Sequence, residues 1–315
     1  MNISAFFLVG PTATGKSRVA QYIAEKYKYA ILSADSMAVY RGMDIGTAKP
    51  TLGERQRVSY GCIDIVDATE DFNVADYRKF ALQFLREKAK EKMPVLIVGG
   101  SGLYIKSLTH GLDDAAGYNH LEREEWLKFI EKHGIDALRT EVVTRYPSVK
   151  EELKDLANPR RLIRYMEKKM LNVQIKSSWN KLSCTVPMVG LDMHAPVFRM
   201  AVKMRVEQMY RNGLINECIK LTSGGRKLSR TARQAIGYAE VISFLEGQCS
   251  MQEAVERTIV RTIQLGKKQR TWFRNQAKVE WIKTSLDMDV EEVAHKVLAL
   301  WGKYGSIPIH ECMQE

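Results

Sequence analysis

Residues 10–17 read Gly10-Pro11-Thr12-Ala13-Thr14-Gly15-Lys16-Ser17, a run that fits the spacing G-x-x-x-x-G-K-[ST]. Such a run is suited to holding phosphate. The glycines let successive backbone N–H groups converge on phosphate oxygens, and the start of a following helix adds partial positive charge. Lys16 supplies a point charge, and the Ser17 hydroxyl is a candidate ligand for Mg²⁺. A second chemically capable residue is Asp35, directly after the apolar run 30–34. A carboxylate at the carboxyl end of a strand either serves a bound ligand as a general base or caps the segment after it.

The apolar run 95–98 ends without an acid. Nucleotide hydrolases with such a loop place an acidic residue at the end of a neighbouring strand to help hold Mg²⁺. Here the chain continues Gly99-Gly100-Ser101-Gly102, so a phosphate ligand other than a hydrolysed nucleotide is expected, with Asp64 and Asp67 as the alternative acids.

These residues need elements to position them. Residues 5–9 read as a buried strand, 17–27 as a helix with Val19, Ala20, Ile23, Ala24 and Tyr27 on one face, and 30–34 as a second strand. Residues 76–92 form a helical pattern with Tyr77, Phe80, Ala81, Phe84 and Leu85 on its apolar face, ended by Pro94. Strands at 95–98 and 186–193 and a helix over 198–211 continue the alternation, which predicts an α/β fold with a parallel sheet flanked by helices. Residues 113–185 are charge-rich, with helical patterns at 121–132, 136–143 and 159–171. They are expected to be a helical insertion in a core made of 1–112 and 186–315. The C-terminal third is expected to be mostly helical, notably 232–245 and 251–274.

Net charge is +11, and its distribution points to a polyanion. Between Arg257 and Lys278 lie seven basic residues and no acid; Lys220, Arg226, Lys227, Arg230 and Arg233 form a second acid-free stretch. A merely solvated face mixes both signs, so nucleic acid is the expected partner. The five cysteines (Cys62, Cys184, Cys218, Cys249, Cys312) are scattered without metal-ligand spacing, which argues against zinc and for a cytoplasmic setting. No apolar run approaches the length of a membrane span and no export leader is evident, so no membrane partner is expected.

Ser33-Ala34-Asp35-Ser36-Met37-Ala38-Val39-Tyr40-Arg41-Gly42-Met43-Asp44-Ile45-Gly46-Thr47-Ala48-Lys49-Pro50 closely resembles the signature of tRNA dimethylallyltransferases, also called tRNA isopentenyltransferases. The resemblance extends through residues 10–17, 98–106, 158–164, 234–238 and 267–274, in the family's order. It implies a P-loop kinase-like core with a helical insertion. The implied reaction moves a dimethylallyl group from dimethylallyl diphosphate to N6 of adenosine 37 in tRNA, with Mg²⁺. It further implies that the phosphate loop holds the prenyl donor's diphosphate, that Asp35 is the base, and that Thr12 and Arg205 assist the leaving group. Implied tRNA contacts are Asp35, Ser36, Met37, Ala38, Ser101, Pro159, Arg160, Arg161, Leu162, Ile163, Gln234, Ala235, Ile236, Gly237, Tyr238 and Ala239, with Arg123 matched by spacing. The target base must be unstacked to reach such a pocket.

The sequence departs from the family pattern at Ala201, where an arginine is usual, at Ser59-Tyr60-Gly61 in place of Pro-His-His, and in 144–157, which lacks an Asp-Pro step. No C-terminal zinc finger can form, so the type expected is bacterial, and a monomer is expected. Two other readings are a transferase acting on free adenine nucleotides, and a P-loop small-molecule kinase or ATP-dependent RNA-binding protein. The basic stretches and the insertion argue against the first, and only the generic loop supports the second.

Overall fold

The structure, a computed structural model, describes residues 3–112, 120–153, 155–170 and 186–311. The described chain forms two compact units, one within Met1–Gly111 and Ser183–Met313 and the other within Leu112–Leu182.

The first unit is built on a sheet. Its strands are β1 (Ser4–Val9), β2 (Ala30–Ala34), β3 (Tyr60–Gly61), β4 (Val95–Gly99), β5 (Met188–Asp192), β6 (Val279–Lys283) and β7 (Ile307–Pro308). The order is β3-β2-β4-β1-β5-β6, all parallel, with β7 antiparallel to β1. β1 pairs with β7 at Ser4 and Ala5 and with β5 at Leu8 and Val9. The helices of this unit are α1 (Lys16–Tyr27), α2 (Leu52–Arg57), α3 (Val74–Lys90) and α4 (Gly102–His110) in its first part.

The second unit contributes α5 (His120–Arg145), kinked at Gly134, α6 (Val149–Glu152) and α7 (Pro159–Met170). The first unit resumes with α8 (Ala195–Arg211), α9 (Leu214–Thr222), α10 (Arg230–Arg233), α11 (Tyr238–Leu245), α12 (Met251–Gln276) and α13 (Val290–Tyr304).

Strand periodicity explains the layers. Alternate residues face opposite sides of a strand. Phe7, Val9, Leu32 and Ile97 join one buried cluster with α3, α4, α8 and α11, whereas Leu8, Ile31, Leu96 and Val98 join another with α1 and α13. A parallel sheet covered on both faces results, as the near-continuous apolar runs predict. The second unit has its own core of Leu138, Val142, Val149, Leu162, Ile163, Tyr165 and Met166.

Several expectations are corrected. The helix expected over 232–245 is two helices, α10 and α11, because Gly237 takes φ +93° and Glu240 caps the new start by accepting the Gly237 N–H at 2.7 Å. Phe80 is 41% exposed, and Arg78 and Leu82 are buried on α3 instead, Arg78 donating to the Ser107 and His310 carbonyls. The C-terminal third also contains β6, a five-residue strand that extends the sheet beyond β5. Residue 171, Cys184 and Cys312 lie outside the described residues. Among the described residues, no helix is long and apolar enough to cross a membrane.

Candidate active site

The carboxyl ends of β1, β2, β4 and β5 converge on one cavity of about 460 Å³, within the range of small-molecule pockets. Its lining includes Thr12 to Arg18, Asp35, Ala38, Gly99, Gly100, Ala201, Arg205 and Gln269.

The phosphate loop leaves β1 at Gly10, whose φ is +132° and whose missing Cβ would stand 2.3 Å from the Leu191 carbonyl oxygen of β5. Only glycine allows that approach. The loop closes at Gly15, in the left-handed region (φ +85°), and α1 starts there with no side-chain cap and no acid in its first turn. The first N–H groups of α1 are therefore left for an anion. The Thr14 hydroxyl donates to the Pro11 carbonyl at 2.9 Å, and Thr284 donates to the Thr14 carbonyl at 3.3 Å. Lys16 folds back onto the Pro11 carbonyl and the Thr14 hydroxyl. Burial, helped by the charge of Arg205, lowers its ammonium to about 7 against the opposing pull of Asp35.

Asp35 is held by a stitch between β2 and β4. The Ser101 N–H donates to the Ala34 carbonyl at 3.1 Å, and the Ser101 hydroxyl oxygen accepts the Ser36 N–H at 3.1 Å. Asp35 Oδ1 accepts the Met37 N–H at 2.9 Å. That bond fixes the carboxylate's direction and leaves Oδ2 to face a ligand. The backbone of Gly99 packs so closely on Ala34 that a Cβ would stand 2.1 Å from its oxygen.

Arg205 reaches the cavity from α8 and donates to the Thr47 carbonyl at 3.4 Å. Burial lowers its pKa and Asp35 raises it; an arginine stays charged regardless. Ala201, one turn earlier, is buried and lines the same wall with Met193 and Met204. That wall is therefore apolar where the family pattern would carry a second cation.

Neither alternative acid reaches this cavity. Asp64 is taken by Lys49 (2.6 Å) and Arg55, and Asp67 by Arg226 at 2.6 Å, which holds the Asp67 carboxyl down at about 2. Among the described residues, no group of three His, Cys, Asp or Glu could hold a metal. The donor set at the loop is the exposed Ser17 hydroxyl plus whatever oxygens a ligand brings. It fits Mg²⁺, which keeps several waters and binds through few protein oxygens together with substrate phosphates.

The residues expected to touch tRNA separate into two kinds. Asp35, Ser36, Met37, Ser101 and the exposed Gln234 lie in the first unit as partly or fully accessible groups, while Arg160 and Arg161 are exposed on α7. Ala38, Leu162, Ile163, Ala235 and Tyr238 are buried. The side chains of Leu162, Ile163, Ala235 and Tyr238 fill cores, while Ala38 also lines the cavity. Gly237 is the buried turn before α11, with Ile236 and Ala239 half-buried beside it. Arg123, half-buried on α5, pairs with Glu167 of α7 at 4.0 Å, and Pro159 opens α7.

The basic stretch on α12 also divides. Arg261 is turned onto Glu240, and Arg270 onto the buried Asp192 at 2.7 and 2.9 Å. Arg257, Lys267, Lys268, Arg274 and Lys278 are exposed. Three residues missed in the sequence support the site. Glu217 binds the loop at 44–46, the side chain of Lys49 is fully buried on Asp44 and Asp64, and Gln269 accepts the Thr12 N–H at 2.9 Å. Gln269 was hidden among basic neighbours and other neutral polar residues of the same helix, and no local signal singles it out.

Comparisons with known proteins agree with this geometry. The family model for IPP transferase matches residues 38–276. The chain is 36% identical over 299 residues to the tRNA dimethylallyltransferase of Pelotomaculum thermopropionicum, covering 92% of this chain and 94% of that one. It is 34% identical over 281 residues to the protein of the same name from Corynebacterium jeikeium, covering 87% and 90%. Among solved structures, it resembles the full-length tRNA isopentenylpyrophosphate transferase of Bacillus halodurans with a TM-score of 0.69 at 31% identity, covering 96% and 97%.

Proposed function

The chain belongs to the IPP transferase family and is a prenyl-transferring enzyme of tRNA; on that premise we propose that its cavity carries a dimethylallyl group from dimethylallyl diphosphate to N6 of adenosine 37. The observation that carries this reading is the meeting of the phosphate loop and Asp35 in one cavity whose other lining carboxylate, Glu54, is turned onto the Thr51 N–H and hydroxyl at the start of α2. That arrangement suits a leaving diphosphate and a single proton acceptor better than nucleotide hydrolysis.

The residues then divide the reaction. The amides at the start of α1, Lys16 and Arg205, which line the cavity, are assigned to the diphosphate, and Thr12, lining it beside them, to the oxygen that bridges to the prenyl carbon. The adenine enters beside Ser101 and Ser36, out of its stack. N6 attacks C1 of the prenyl chain, the C1–O bond breaks, its electron pair leaves on the diphosphate, and Asp35 takes the N6 proton. N6 is a weak nucleophile because its lone pair is shared with the ring, so proton removal during attack matters. The charge gathering on the diphosphate is met by fixed donors, which need no rearrangement as it forms. Mg²⁺ beside Ser17 would supply further charge neutralisation on the diphosphate. The exposed lysines and arginines of α12 neutralise tRNA phosphates. The corresponding proposals for the whole protein are a monomer working in the cytoplasm.

The test is transfer from labelled dimethylallyl diphosphate to anticodon stem-loops with Mg²⁺, read as a mass gain on adenosine 37. ATP binding without transfer would point instead to a kinase-like or ATP-dependent RNA-binding protein, and transfer to AMP instead of RNA to a free-nucleotide enzyme.

A further inference from the structure

A glycine-rich phosphate loop is expected to offer every backbone N–H to its ligand. This loop does not. The Thr12 N–H is already engaged, donating at 2.9 Å to Oε1 of Gln269, which lies 257 positions away on α12. An N–H can only donate, so the Gln269 amide has one permissible orientation: oxygen on Thr12, Nε2 on the far side. There Nε2 lies against Gly100, where a Cβ would come within 2.2 Å of it. Gln269 thus touches the phosphate loop with one end of its amide and the β4 loop with the other.

The segment of α12 that carries it is fixed on both sides. One residue on, Arg270 is locked to Asp192 at 2.7 and 2.9 Å. Three residues on, Trp272 packs so closely on Gly102 that a Cβ there would stand 2.2 Å from the ring. Gly100, in the turn after β4, and Gly102, at the start of α4, receive Gln269 and Trp272, three residues apart on α12, so the amide is presented from a rigid support. Gln269 lines the cavity itself.

We propose that Gln269 is a positioning residue for the transfer, withdrawing the Thr12 amide from phosphate binding so that the Thr12 hydroxyl is fixed toward the bond that breaks. The inference rests on the prenyl-transfer reading. On it, diphosphate affinity comes from the amides of 13–17, Lys16 and Arg205, while the alignment of the leaving oxygen depends on Thr12. Removing Gln269 therefore affects the chemical step and spares binding of the donor.

The experiment uses the full chain with dimethylallyl diphosphate and an anticodon stem-loop, comparing Gln269→Met, Gln269→Glu, Thr12→Ala and Gln269→Met combined with Thr12→Ala. In Gln269→Met, kcat is expected to fall about 10- to 100-fold, with the donor KM within about threefold of the parent value. The double variant is expected to be no slower than Thr12→Ala alone, because both changes remove one interaction. Gln269→Glu keeps an acceptor for the Thr12 N–H, so it should recover most of the kcat lost in Gln269→Met while raising the donor KM through charge repulsion. This variant also serves as the test should the methionine variant not fold. Multiplying losses in the double variant, a defect confined to KM, or a glutamate variant no faster than the methionine one would overturn the assignment. A parent protein without transfer activity would instead overturn the prenyl-transfer reading itself.

Discussion

Glu217 of α9 and Tyr238 of α11 close the loop that comes after Asp35: the Glu217 carboxylate accepts the Tyr238 hydroxyl together with the backbone N–H groups of Asp44 (3.0 Å), Ile45 (2.8 Å) and Gly46 (3.3 Å). Burial and the adjacent carboxylate push the Tyr238 phenol far above its ordinary range, so it remains a donor. A glutamine at 217 brings N–H groups where only acceptors are wanted. Glu217→Gln is expected to cost about 1–3 kcal/mol in chemical denaturation, the usual penalty for leaving such groups unsatisfied. An unchanged denaturation midpoint would show that the loop is held by other interactions.

Asp35→Asn keeps the acceptor for the Met37 N–H and removes the base. The expected outcome is a fall in kcat of about 10²–10⁴-fold with tRNA affinity nearly unchanged. Single-turnover transfer separates the two, and a variant as fast as the parent would remove Asp35 from its role.

Lys16 gives the site a pH signature. Its ammonium is lowered to about 7 from an ordinary 10.5 by burial first and by Arg205 second, with Asp35 opposing. Between those two values the unfolded chain holds a proton that the folded chain lacks, so this group makes stability rise with pH across the window; below about 7 both states hold it and the full penalty remains. An anion in the loop favours the ammonium. Binding of inorganic diphosphate at pH 8 should therefore take up a proton that Lys16→Met does not, measured by calorimetry in buffers of different ionisation enthalpy. Equal proton uptake by both proteins would rule this out.

The two classes of basic residue on α12 should behave differently. Lys267 and Lys268 are exposed, and reversing both to glutamate should weaken tRNA binding and flatten its salt dependence by about one unit of slope for each phosphate no longer neutralised. Arg270→Met takes the closest of its cationic partners from the buried Asp192, which is 2% exposed and keeps Lys283 at 3.0 Å, and should lower stability more than it changes the slope. Filter binding across a salt series, paired with thermal melts, distinguishes them.

Much of this arrangement was readable from the chain because its signals are local. A phosphate loop is a run of eight residues, and strands 30–34 and 95–98 are apolar without interruption. Asp35 was legible as the residue that ends a strand. The hidden part depends on contacts between distant positions. Nothing near Gln269 announces that its partner is Thr12, and Glu217 looks like any acid on an amphipathic helix until α9 is packed against the 44–46 loop. Tyr238 is similar: the family block marks the position, and only its packing shows that its hydroxyl braces Glu217. The break at Gly237 was missed because the surrounding residues favour a helix and one positive φ overrides them.

The closeness of Gly10 to Leu191 and of Gly99 to Ala34 has a consequence for how this site can drift over time. Beneath the site, main chain is pressed on main chain at these two places, with no side chain between that could give way. At these two positions even a single methyl group must part neighbouring strands. A saturation library read out by folding would thus show almost no tolerated replacement at these two points. A lineage could retune what enters the cavity many times over while inheriting the same floor unaltered.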